Sequence, residues 1–154
     1  MKLTTVASRI AFALGALGLF GVMAVDFIAV VGRHAGVPLL GSIELSEACI
    51  VCMASASLLG TTLAHGHASA QVLTQRLGAP GRRTLARLSD ALGSLFFAFV
   101  ALGSMLLLVE LRHGDERSEL LAIPIVALRA IWCAAVTAMV FCFAARVVAS
   151  DPKA

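Results

Sequence analysis

The chain has 154 residues, of which 60% are hydrophobic and 14% charged, with a mean hydropathy of +0.96. Soluble domains carry about 25% charged residues, and a fold this small buries too little of its area to hide so much apolar surface from water. The bilayer must therefore act as solvent for much of the chain. A formal charge of +3 without a long basic run, and with no Tyr, leaves nucleic-acid binding little support.

A membrane-crossing helix needs roughly 20 apolar residues. The first span is predicted at about 8–31: Ile10 to Val31 is apolar with one charge, Asp26, near its far end. Lys2, Arg9 and the small-residue pattern Val22-Met23-Ala24 resemble a signal peptide. A signal core is only about 7–15 residues long, shorter than this run, so a retained helix is expected. Ala7, Ala11 and Gly15 stand four apart along it.

The second span is predicted at about 46–64, with no charge from Ala48 to Ala64. Ala48, Cys52, Ala56 and Gly60 recur every four residues, and residues four apart on a helix share a face. Small side chains let another backbone approach closely where lipid offers no hydrophobic drive. This line is a candidate helix-packing or subunit-contact face, and whether its partner lies within the chain is left open by the residues alone.

The longest connection, His65 to Asp90, carries a turn signal at Gly78-Ala79-Pro80-Gly81. Before it, the mixed pattern of Ala68 to Leu77 leaves room for a short interfacial helix. After it, Arg82, Arg83 and Arg87 suit either anionic headgroups or plain orientation signals. The third span, about 89–110, is uncharged from Ala91 to Val109.

The fourth span is predicted at about 123–148. Its uncharged stretch, Ala130 to Ala145, is short, and the extension takes in Arg129 and Arg146, whose guanidinium groups can snorkel to the nearer interface. Pro124 is tolerated in a first helical turn, and Trp132 suits an interfacial anchor. None of the spans alternates apolar and polar residues as barrel strands do. The fold class is therefore an all-α membrane protein, a single four-helix domain over 1–154.

Four spans place the N-terminus, middle loop and C-terminus on one side. That side carries Lys2, Arg9, Arg76, Arg82, Arg83, Arg87, Arg146 and Lys153 against Asp90 and Asp151, a net of +6. The other carries Arg33, Arg112, Arg117 and Arg129 against Asp26, Glu44, Glu47, Glu110, Asp115, Glu116 and Glu119, a net of −3. Lys and Arg accumulate on cytoplasmic loops, so both termini are expected in the cytoplasm.

Chemistry-bearing groups are sparse. Cys49 and Cys52 form a C-x-x-C at lipid depth without a second pair or a nearby His, and Cys133 and Cys142 lie in the fourth span. All four read best as small buried hydrophobes. His34 and His113 fall in outer loops, while His65 and His67 fall at a helix end, two apart and off a common face. With no phosphate cradle and no nucleophile–base pair, no catalytic, metal or cofactor residue is assigned and an enzyme is not expected. A charge at the centre of a span costs about 2.5–3.5 kcal/mol on insertion scales. The span-associated carboxylates Asp26, Glu44, Glu47 and Glu110 instead gather near one interface. Asp26 alone sustains the alternative of a self-contained four-helix transporter or channel acting as an oligomer, and its plainer reading is pairing with Arg33 two turns away.

The order of short motifs resembles the small membrane subunit, DctQ type, of tripartite ATP-independent periplasmic (TRAP) transporters. An Arg after the first span is Arg33. Pro and a Glu-Leu pair entering the second span are Pro38, Glu44 and Leu45. The Leu-Gly and Gly-His that follow are Leu59-Gly60 and Gly66-His67. Pro80, Arg82 and Arg83 lead into Leu95-Phe96-Phe97, and Ser118 precedes Leu121-Ala122-Ile123-Pro124. The likeness covers roughly Ala24 to Ala145. It departs at Gly41-Ser42-Ile43, where many members have Trp, and at Ala70-Gln71-Val72, where many have an acid.

The resemblance implies a multi-pass protein of the bacterial inner membrane. It implies a non-catalytic scaffold that braces a large multi-spanning subunit. That partner would carry small organic acids together with sodium, which it would bind itself, while a periplasmic binding protein captures the substrate.

Overall fold

The computed structural model describes residues 2–64, 78–112, 114 and 116–148. Four helices account for most of them: α1 (Lys2–His34), α2 (Ser42–Leu63), α3 (Ala79–Leu111) and α4 (Ile125–Val148). All four are long and apolar enough to cross a membrane. Among the described residues the only β pairing is an isolated bridge between Arg117 and Pro124. The expected interfacial helix, with Gly66 and His67, lies outside the described residues.

The helices alternate long and short. At 1.5 Å per residue, α1 and α3, of 33 residues each, run ~50 Å, against a hydrocarbon core of about 30 Å. Their N-terminal parts carry Arg9 on α1 and Arg82 and Arg87 on α3. α2 and α4, of 22 and 24 residues, are ~33 and ~36 Å and match the core closely.

Two boundaries differ from expectation. The Gly-Ala-Pro-Gly signal starts a helix rather than centring a loop. Gly78 is extended (φ −63°, ψ 167°) and caps α3, with Pro80 in the first turn, where its missing N–H leaves no intrahelical bond unmade. Residues 79–90, expected as loop, are therefore helical. The fourth helix begins at Ile125, so Pro124 precedes it instead of standing in its first turn, while Arg129 lies inside it as expected.

The packing order is α1–α2–α4–α3. α1 packs on α2, α2 on α4 and α4 on α3, whereas α1 and α3 meet neither each other nor the far member of the opposite pair. Among the described residues the helices thus form an open row of two antiparallel hairpins, not a closed bundle. α2 and α4 lie side by side in parallel. Near their N-terminal ends Glu44 reaches the backbone of Leu120 and Leu121, and near their C-terminal ends the Arg146 guanidinium donates to the Thr62 carbonyl. That bond satisfies a last-turn carbonyl that an α-helix leaves without a partner of its own. Arg146 also lies 5.3 Å from the centre of the Phe143 ring, a cation–π distance.

The centre of the row is where the chain is dry. Ala135, Val136 and Met139 of α4 are buried, with Leu58 and Leu59 of α2 on one side and Phe97, Val100 and Ala101 of α3 on the other. Phe97 stacks on Phe143 at 5.6 Å between centroids. Trp132 turns inward as well: it packs on this cluster, and its indole N–H donates to the Ser104 hydroxyl at 3.2 Å. The outer helices stay bare, with Phe20 68%, Phe27 69%, Phe99 67% and Leu106 73% exposed.

The α1–α2 seam is built on small residues. A Cβ at Gly60 would lie 3.2 Å from the Ala11 Cβ, and one at Gly18 would lie 2.9 Å from the Met53 Cβ and 3.1 Å from the Cys49 carbonyl oxygen. Gly15 faces Ser57, and Gly21 faces the Cys49 sulfur. Along α2 the seam therefore runs through Cys49, Met53, Ser57 and Gly60. Of the line drawn from sequence, Gly60 is buried in this seam, Ala48 and Ala56 are half-buried, and Cys52 is exposed.

Candidate functional site

The chain concentrates its polar structure at the end where the α1–α2 and α3–α4 loops meet. In the last turn of α1, which ends at His34, the Gly32 carbonyl accepts the Val37 N–H at 2.8 Å, so the chain turns directly after the helix. Gly41 then starts α2. Its φ of +77° is a left-handed value that glycine adopts at no steric cost. A side chain there would also sit 2.8 Å from Leu121.

One turn into α2, the Glu44 carboxylate accepts two backbone bonds from the opposite hairpin. The Leu120 N–H donates to Oε1 and the Leu121 N–H to Oε2, each at 2.8 Å. Two adjacent amides aimed at one carboxylate form a charge-assisted fork. The Ser118 side chain is a further hydrogen-bond partner of this carboxylate.

Ser118 in turn holds the loop closed. Its hydroxyl accepts the Ile123 N–H at 3.0 Å, its own N–H donates to the Ile123 carbonyl at 3.0 Å, and its carbonyl accepts the Ala122 N–H at 3.2 Å. Ala122 pivots the turn at φ +52°, a conformation that costs an L-residue roughly 1–2 kcal/mol. Ala122→Gly is therefore expected to stabilise the loop by about 1 kcal/mol, read as a rise in thermal midpoint in detergent.

Residues 76 positions apart are thus clasped where α2 and α4 begin. Glu44, Ser118 and Pro124, separate in sequence, come together here, with Pro124 bridging Arg117 as the loop enters α4. Leu45 follows Glu44 on a partly exposed turn. Arg33 and Pro38 are exposed on the α1–α2 connection. Asp26 does not pair with Arg33: its Oδ1 accepts the Ser46 hydroxyl at 2.8 Å. α2, packed along α1, brings Ser46 within reach, and a hydroxyl needs no guanidinium to satisfy a carboxylate at the membrane edge.

Beside the clasp, a groove of about 690 Å³ opens between the first turns of α2 and α4. Its charged and polar lining is Glu44, Glu47, Arg117, Ser118, Glu119 and Arg129, with Glu47 and Arg129 each about one turn inside their helices. Its floor is Ile50, Val51, Leu128 and Trp132, with Ile123 and Ile125 at the loop side. No spacing in the sequence announces this groove, since its walls come from segments some 70 residues apart. Among the described residues no group of three His, Cys, Asp or Glu side chains could hold a metal ion.

No curated protein and no solved structure matches the chain. A family model described as "Tripartite ATP-independent periplasmic transporters, DctQ component" matches residues 22–151. The match starts in the second half of the first helix and takes in every element of the clasp and groove.

Proposed function

The chain belongs to the DctQ component family of the tripartite ATP-independent periplasmic transporters, and from that premise we propose that it is the small scaffold subunit of such a transporter. It braces a large multi-spanning subunit that imports small organic acids with sodium, while a periplasmic binding protein delivers them. Sodium and substrate bind to those other chains. Its place is the bacterial inner membrane, with both termini in the cytoplasm as the charge asymmetry favours.

The observation that carries this reading is the open row. Two of the four helices bury one side only and leave long apolar faces uncovered, the form expected of a chain completed by a larger membrane partner. The titratable groups agree with it. Asp26, the one carboxylate associated with the first span, is engaged by Ser46, and the remaining charges cluster toward the helix ends.

Asp26→Asn supplies a graded check. The Asn side-chain oxygen accepts the same Ser46 bond, so transport by the assembled complex is expected to stay within about twofold of wild type, the change typical of surface sites. Uptake abolished with normal assembly would move the ion pathway into this chain. The proposal as a whole is tested by purifying the tagged chain in mild detergent from its native membrane. A large multi-spanning membrane protein should co-purify at fixed stoichiometry, and recovery of a homo-oligomer alone would refute the scaffold role.

A further inference from the structure

The groove beside the clasp is too deep and too two-faced to be a loop crevice. Its lining runs from Glu44 to Val51 on α2 and from Ile125 to Trp132 on α4. At 1.5 Å per residue that is ~10 Å of depth along the helices. The headgroup layer on one side of a bilayer is only about 5–7 Å thick. The mouth therefore lies among headgroups and the floor at the level of acyl chains. An occupant must be charged at one end and apolar at the other.

The charges are of both signs. Arg129 sits one turn inside α4, half-buried and on the groove wall. Among the described residues its guanidinium makes no hydrogen bond or ion pair. Glu47 stands about one turn inside the facing helix, while the carboxylate of Glu44 is already taken by two backbone amides. Guanidinium is the side chain suited to phosphate oxygens, and a carboxylate on the facing wall complements an ammonium group. Further along the two helices Ile50, Val51 and Trp132, with Leu128 beside Arg129, offer an apolar surface.

We propose that this groove is a binding site for one phospholipid with an ethanolamine headgroup. Arg129 holds the phosphate, Glu47 receives the ammonium, and an acyl chain lies along the α2–α4 floor. The lipid fills the crevice between the two hairpins at the end opposite the Arg146–Thr62 contact. The site needs membrane insertion and the α2–α4 pairing, and it stands whether or not the chain is a scaffold subunit.

Native mass spectrometry of the full chain, extracted with any membrane partner that accompanies it, tests the proposal. After washing that strips loosely held lipid, one phosphatidylethanolamine per chain should remain. Arg129→Gln should lower its retention at least about tenfold, the loss expected for one charge-assisted bond. Glu47→Gln should abolish the preference for phosphatidylethanolamine over phosphatidylglycerol while phospholipid is still retained. Should Arg129→Gln not fold, Ile50→Trp, which fills the floor and keeps the charge, should expel the lipid. Equal retention by wild type and the variant used, or retention without headgroup preference in the wild type, overturns the proposal. So does a photo-crosslinker at Leu128 that captures a protein chain instead of lipid.

Discussion

Gly18→Leu is expected to break the seam between α1 and α2 and cost about 3 kcal/mol or more, the upper range for overpacking. The cause is local and steric. Even the first added carbon would lie 3.0 Å from the Met53 nitrogen and 3.1 Å from the Cys49 carbonyl oxygen. These are backbone atoms of the neighbouring helix, which cannot rotate away as a side chain can. The helices must separate, and in lipid no hydrophobic force restores them, because association there rests on close packing. Gly60→Leu meets side-chain atoms at 3.2 Å and beyond, so its penalty should be smaller, about 1–3 kcal/mol. Thermal unfolding in detergent and protease sensitivity of the α1–α2 hairpin measure both. A Gly18→Leu chain as stable as wild type would place the seam elsewhere.

Glu44→Ala is expected to release the α3–α4 loop from α2. It leaves the amides of Leu120 and Leu121 without their acceptor and removes a hydrogen-bond partner of the Ser118 side chain. The loop retains its internal Ser118–Ile123 bonds, so it should loosen as a unit rather than unravel. Glu44→Gln should be intermediate, because an amide side chain offers one acceptor oxygen where the carboxylate offered two. Hydrogen exchange at Leu120 and Leu121 should quicken on the order of tenfold in the alanine variant, with exchange in α1 unchanged. Unaltered exchange at those two amides would show that the clasp does not hold the loop.

Hydrophobic length and charge made the four helices legible in the sequence, since each span must satisfy its own backbone in lipid. Their neighbours were not legible. Four apolar stretches carry no mark of which one faces which, so the row α1–α2–α4–α3 appears only in the structure. The small-residue line on α2 shows the limit clearly. A strict spacing of four drifts by about 40° per step around a 3.6-residue helix. Starting from Gly60, it has turned away from α1 by Cys52, which is exposed, whereas steps of three and four through Ser57, Met53 and Cys49 stay on the seam. In the same way, Asp26 and Arg33 looked like partners by helical spacing, but Ser46 arrives from the adjoining helix. Glu44 stood out as a carboxylate near one interface and, with Ser118, as part of short family motifs. That one carboxylate would bind two amides 76 and 77 residues away is a product of tertiary packing.

The proposed scaffold role would make the chain necessary for transport but incompetent alone, and reconstitution in sealed vesicles tests that directly. Vesicles holding this chain alone should show no sodium-driven uptake of a small organic acid. Vesicles holding it together with the large membrane subunit, supplied with binding protein, should accumulate that acid. Sodium-driven uptake or ion flux by the chain alone would contradict the account.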